Sequence, residues 1–317
     1  MREPDVTGAD PDEGHGGGTW DSVLDNVACL RGQPRTAEVL AGGLTNVNLK
    51  VSYPGGTMVV RIAQPGSELL AIDRAAEHLN SRAAAQAGVG APVLDYIAAP
   101  GLLVVGFIDG RTFTDQDLLA GGHLPRVATA CRQLHGGPRF VNDFDMFQIQ
   151  RGYLDIVTRQ GFRLPDRYLE LMPAVARIEK AFQARRVATV PCNNDLLAGN
   201  FIDDGSKIWL IDYEYSGNND PCFELGNIWS EANLSLEQLE ELMEAYDGRL
   251  LRHRVARARL WGLMSKYGWT LWGSIQASVS SIDFDFWGWA MEKYDRAVAE
   301  FDGPAFGRLL DQAAADG

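Results

Sequence analysis

Between Thr36 and Ile62 apolar residues alternate with polar ones, and turn residues interrupt the alternation twice. A period of two marks half-buried strands. It predicts strands at 37–40, 47–53 and 58–62, joined by a Gly42-Gly43-Leu44-Thr45-Asn46 turn and a Pro54-Gly55-Gly56 turn. The period then changes. Leu69, Ile72, Ala76 and Leu79 make one apolar stripe, which predicts a helix over 67–86, capped by Ser67 and ended by Gly88. Two short strands follow at 93–96 and 102–107. Beyond Ile108-Asp109-Gly110 helical spacing dominates. Pro125 sits in the first turn of a helix running to Leu134, and further helices are predicted at 148–159, at 165–185 with a break at Pro173, and at 223–233. Ser235 and Gln238 form a capping box for a helix to Tyr246, and two long helices close the pattern at 250–278 and 284–301.

The pattern describes an α+β chain in two parts. A small lobe over 21–108 carries a five-stranded antiparallel sheet and one helix, and a larger, mostly helical lobe covers 109–317. The first 20 residues are rich in Gly, Asp, Glu and Pro, have no basic start or apolar core, and read as a disordered lead rather than a signal peptide. No apolar run reaches membrane-spanning length.

Charge narrows the partners. A net charge of -13 and a pI near 4.8 argue against nucleic acid, which needs a basic face, and suit a small cationic substrate. The four cysteines, Cys29, Cys131, Cys192 and Cys222, show no CxxC or Cys/His spacing. That argues against a zinc site or a disulfide framework and makes a reducing cytoplasm the expected location. Cys192 reads as a small buried residue before a nucleophile, and His135 as a capping or core residue before a catalytic one.

The chemistry concentrates in Pro191-Cys192-Asn193-Asn194-Asp195, followed by Asn200 and by the apolar run 208–211 that ends at Asp212. A hairpin would bring two acids and an amide together, and phosphoryl transfer needs that set. In such a set one acid accepts the proton of an attacking hydroxyl, while the amide of Asn200 and the other acid hold Mg²⁺ on nucleotide phosphates. The glycine turn near Gly43, Thr45 and Asn46 allows backbone amides to approach phosphates, though it also serves as a plain hairpin turn. Arg61 at the end of the third strand and Glu77 inside the following helix have the placing of a kinase basic–acidic pair, and a surface charge is the competing reading for Arg61. The lobe boundary, near Phe107, is where a nucleotide base would lie.

With these residues assembled, the chain resembles the choline/ethanolamine kinase branch of the aminoglycoside-phosphotransferase superfamily, a relative of the protein kinases. The resemblance rests on Asn193-Asn194-Asp195 to Asn200, on Ile211-Asp212-Tyr213-Glu214-Tyr215, on the run 219–227, and on the tryptophan-rich stretch 268–289. It spans about residues 39–301 and implies a bilobal protein-kinase-like fold, ATP and Mg²⁺ as cofactors, Asp195 as the catalytic base with Asn200 and Asp212 as the Mg²⁺ ligands, and an O-phosphotransferase acting on a cationic amino alcohol such as choline. It further implies an aromatic site for the cationic head, made by Trp269, Trp272 and Trp289 with Tyr215, with Trp229 also in the substrate set and Glu214 or Glu231 adding charge. Aromatic faces suit a quaternary ammonium, which has no hydrogen to donate; core anchoring is the other reading of Trp269 and Trp272. It leaves a homodimer open.

Asn193 stands where the family carries histidine. In relatives that residue supports the loop by hydrogen bonding, which asparagine can do in part. Two alternatives therefore stay open. The acceptor is another hydroxylated compound (thiamine, an aminoglycoside or a sugar), or the chain is a catalytically weak binding protein or sensor.

Overall fold

The computed structural model describes residues 20–40, 43–63 and 67–315. The expected lead up to residue 19, Gly42 of the first turn, and the Ser67 side chain lie outside what is described. The chain forms two compact units, one of residues up to 63 with 94–107, the other of residues 64–93 with 108–317. The span 21–108 assigned to one lobe by pattern alone is thus shared, because 64–93 packs with the second unit.

The first unit contains the short helix α1 (Asp21–Leu24) and strands β1 (Thr36–Leu40), β2 (Asn46–Tyr53), β3 (Gly56–Ala63), β4 (Val93–Ile97) and β5 (Leu102–Gly106). They form a five-stranded antiparallel sheet in the order β1-β2-β3-β5-β4. Alternate residues Leu49 and Val51 of β2, Met58, Val60 and Ile62 of β3, and Leu102 and Val104 of β5 point into one core. Leu24, Val27 and Leu30 cover it from the N-terminal side, and Trp20 packs against it. Each fully buried aliphatic side chain contributes about 1.5–3 kcal/mol. The turn into β2 is tight: a Cβ on Gly43 would lie 2.3 Å from the Asn46 carbonyl oxygen, so only glycine fits. Asn46 donates from its amide to Thr45 Oγ1 at 3.0 Å. Arg61, on β3 opposite Leu103, is buried. Phe107, just past β5, lies under the Lys50 ammonium at 4.6 Å.

The second unit departs from the predicted helix at its start. Residues 67–70 form a 3-10 turn, Ala71 takes a left-handed φ of 58°, and helix α2 begins only at Arg74 (Arg74–Gln86). Asp73 is the cap, accepting from the Ala75 and Ala76 amides at 2.9 and 3.0 Å. The stripe through Leu69 and Ile72 therefore precedes the helix instead of running along it.

The rest of this unit comprises β6 (Arg111–Thr112), α3 (Asp115–Leu119), α4 (Leu124–His135), α5 (Met146–Gln160) and α6 (Met172–Ala184). Then come β7 (Val190–Cys192), β8 (Phe201–Asp203), β9 (Ile208–Leu210) and β10 (Gly217–Asn219), followed by α7 (Pro221–Glu231), α8 (Leu236–Asp247), α9 (Arg252–Val279), α10 (Phe286–Phe301) and α11 (Phe306–Ala314). The five short strands pair as β7 with β10 and as β6-β8-β9. Helix α9 is buried on every side over most of its length and has no single apolar face. Helix α7 crosses it at glycines: a Cβ on Gly226 would lie 2.1 Å from the Ala258 carbonyl oxygen, and one on Gly262 would lie 2.7 Å from that of Gly226.

Candidate active site

Strand β7 ends at Cys192, and the next three residues form the loop that carries the candidate base Asp195. Asn194 takes a left-handed φ of 69°, a conformation asparagine tolerates better than most residues. Its side-chain amide donates to the carbonyls of Cys192, Tyr215 and Gly217 at 3.1–3.3 Å and accepts from Asn219 at 2.9 Å. The buried Glu224 carboxylate on α7 accepts the backbone N–H of Asn193 at 2.8 Å and that of Asn194 at 2.7 Å. A charged acceptor on each of two buried amides fixes the loop to the helix.

Asn193 links the two halves of the site. Its oxygen accepts from the Asp195 amide at 3.1 Å, and its nitrogen donates to the carbonyls of Ile211 and Asp212 at 3.1 and 2.7 Å. One side chain thus spaces the Asp195 loop from the Asp212 strand end. Asp212 itself has a left-handed φ of 64°, which turns the chain off β9. Asn200 donates from its amide nitrogen to the Asp195 carbonyl at 2.7 Å. That orients the amide; the Asn200 side-chain oxygen and the Asp212 carboxylate are hard oxygen donors of the kind that could hold a magnesium ion. The half-buried Asp195 carboxyl is pushed well above the usual carboxylate range by burial, then by the charges of Asp212, Glu231 and Glu214, while Lys293 opposes the shift.

The aromatic residues gather on the α9 side. Trp269 and Trp272 lie on adjacent turns of α9 and are both buried. The Trp269 ring meets Tyr215 edge-on at 4.9 Å, and Trp272 Nε1 donates to Tyr215 Oη at 2.8 Å. Trp289 on α10, half-buried, meets Trp272 edge-on at 5.3 Å. Glu231 closes α7 and is ion-paired with Lys293, whose ammonium lies 4.3 Å from the Trp289 ring centroid. Trp229, on α7, is buried. It packs on Gly262 and lies under the Lys266 ammonium at 4.6 Å. Glu214 and Glu77 share one guanidinium: Arg74 Nη1 lies 3.2 Å from Glu214 and 2.8 Å from Glu77. Glu77 belongs to the second unit, whereas Arg61, Gly43, Thr45, Asn46 and Phe107 belong to the first.

Sequence reasoning passed over Glu224, Asn194, Arg74 and Lys293. For Glu224 a signal existed, since an acid inside the apolar run 222–228 must be buried and therefore partnered. Spacing also concealed the grouping of His135, Cys192 and Glu224, in which His135 Nε2 lies 3.6 Å from both the thiol and the carboxylate. His135 Nδ1 bonds Tyr246 Oη at 2.7 Å. Burial pushes the Cys192 thiol up, so this cysteine is a packing residue rather than a nucleophile.

The five-stranded antiparallel sheet, the Asp195–Asn200–Asp212 set and the helical remainder define a small-molecule kinase of protein-kinase-like fold. The family model for choline/ethanolamine kinases matches residues 37–243, and the chain belongs to that family. It is 30% identical over 249 residues to protein LicA of Haemophilus influenzae, covering 71% of each chain. It is 26% identical over 300 residues to a probable ethanolamine kinase of Arabidopsis thaliana, with 82% of this chain and 78% of the relative covered. Among solved structures, a choline/ethanolamine kinase family protein from Mesorhizobium loti superposes with a TM-score of 0.82 at 32% identity, over 93% of this chain and 97% of that one.

Proposed function

We propose that the protein transfers the γ-phosphoryl group of ATP, with Mg²⁺, to the hydroxyl of choline or a related alkanolamine. The observation that carries this reading is the Trp272–Tyr215 hydrogen bond. It joins the aromatic wall to the segment that begins with Asp212. An acceptor whose cationic head rests on that wall has its hydroxyl directed toward Asp195.

Asp195 orients the hydroxyl and takes its proton as the oxygen attacks the γ-phosphorus and ADP departs. Its raised proton affinity suits a base that must hold that proton. Asn193 and Glu224 keep the loop in place through the step, so positioning and charge neutralisation supply the catalysis. Asn200 and Asp212 would hold Mg²⁺, which neutralises phosphate charge when bound. To the first unit we assign nucleotide contacts: backbone at Gly43, Thr45 and Asn46 and the Arg61 guanidinium for phosphates, and the chain at Phe107 for the base. Glu77 acts with Arg74 in support.

A coupled ATP-consumption assay over choline, ethanolamine and the intermediate methylamines tests the reading. We expect Mg²⁺-dependent transfer that Asp195→Ala abolishes. Transfer to none of these acceptors, or a preference for thiamine, a sugar or an aminoglycoside, overturns it. The bonds that Asn193 makes to Ile211, Asp212 and Asp195 support the enzyme reading over the binding-protein alternative.

A further inference from the structure

Lys293 already occupies part of the surface expected to receive the substrate's cation. Its ammonium is hydrogen-bonded to Glu231 Oε2 and lies over the Trp289 ring at 4.3 Å. Both side chains of the pair are buried, at 7% and 6% exposure. The pair belongs to the neighbourhood of the catalytic base, because both charges act on the Asp195 carboxyl in opposite directions. Glu231 Oε1 is buried and has no hydrogen-bond partner among the described residues.

The consequences differ for the two kinds of ammonium. A quaternary head offers only dispersion and cation–π attraction. One face it would use, on Trp289, is covered by a like charge, and it has no hydrogen for Glu231 Oε1. A head that keeps an N–H can donate to that oxygen in a charge-assisted bond and leave the Lys293 contacts intact. A buried carboxylate oxygen without a donor favours the ligand that brings one.

We propose that the Glu231–Lys293 pair determines specificity, selecting amino alcohols that keep at least one N–H on the cationic nitrogen over fully methylated ones. This rests on the alkanolamine-kinase reading above. The test is kcat/KM at saturating MgATP for ethanolamine, its mono- and dimethyl forms, and choline, in the native enzyme, Lys293→Met and Glu231→Gln.

For the native enzyme we expect the largest step, on the order of ten-fold or more, at the last methylation, the scale of one charge-assisted hydrogen bond. Lys293→Met should raise the choline-to-ethanolamine ratio by a similar factor through a lower choline KM. Glu231→Gln should flatten the series and change choline least. A ratio resists simple loss of folded protein, and Glu231→Gln/Lys293→Met, which buries no charge, substitutes for the single variant if that fails to fold. A native preference for choline, or a ratio unmoved in Lys293→Met and in the double variant, overturns this proposal alone. Transfer to no member of the series overturns the kinase reading with it.

Discussion

Asn193 is the residue on which the catalytic loop's geometry depends most directly. Its amide makes three bonds, one to the Asp195 backbone and two to the carbonyls at Ile211 and Asp212. Removing all three in Asn193→Ala should lower kcat by about 10- to 100-fold, the cost of an ångström-scale displacement, with KM for the acceptor little changed. Asn193→His keeps a donor and an acceptor there and should retain activity within about ten-fold of native. Steady-state kinetics of the two variants check both expectations. Asp195 gives the opposite result for stability. Its carboxyl binds its proton more tightly in the folded chain than at the ordinary value of 3.8. The folded state therefore loses stability as pH rises from near 4 through the raised pKa, and the cost persists above it. Asp195→Asn removes that cost. In metal-free buffer at neutral pH its thermal midpoint should exceed the native one by roughly 2–4 °C per kcal/mol recovered, and the gap should close near pH 4. Phosphoryl transfer in the same variant should fall by about 10²- to 10⁴-fold. A variant no more stable than native at neutral pH would contradict the burial argument.

Among the elements, α7 connects the core to the chemistry. It carries Glu224 beneath the loop, Glu231 at its end and Gly226 at the α9 crossing. Gly226→Ala would place a methyl 2.1 Å from the Ala258 carbonyl oxygen, which no side-chain rotation relieves. Separating two buried helices should cost about 1–3 kcal/mol, visible as a lower thermal or urea midpoint, while the ratio of acceptor preferences stays constant. The sheet strands were legible because alternation has one meaning on a half-buried surface. Helix starts were less so. Ser67 before an apolar stripe resembles a cap, but Ala71 breaks the stripe and Asp73 makes the bonds. Helix α11, whose stripe includes Phe306, Leu309 and Leu310, was not anticipated. Of the candidate site, Asp195, Asn200 and Asp212 stood out by residue type and spacing, whereas the tryptophans on α9 stood out only through the family resemblance, since their spacing alone reads equally as core packing. Glu224, Arg74 and Lys293 did not, because each acts on a residue thirty or more positions away, and nothing local announces such a partner.

Across the whole chain, 42 acidic residues face 29 basic ones, leaving the net charge of -13. Four of those acids, Asp195, Asp212, Glu214 and Glu231, gather in the second unit, where Arg74 answers Glu214 and Lys293 answers Glu231. Asp195 and Asp212 still act on each other, and the Asp212 charge raises the proton affinity of Asp195. A divalent cation between Asp212 and the Asn200 oxygen would relieve that repulsion, and binding to the folded state alone raises stability by mass action. Mg²⁺ without nucleotide should therefore raise the thermal midpoint saturably. At a hundred times its dissociation constant the gain would be about 2.7 kcal/mol. A general screening of the negative chain would appear equally with NaCl at matched ionic strength, so the excess over NaCl isolates the site. Asp212→Asn should remove the excess. Asp195→Asn should keep most of it, because Asp195 supplies no ligand in this reading. An excess that survives Asp212→Asn and Asn200→Ala would place the ion elsewhere in the chain.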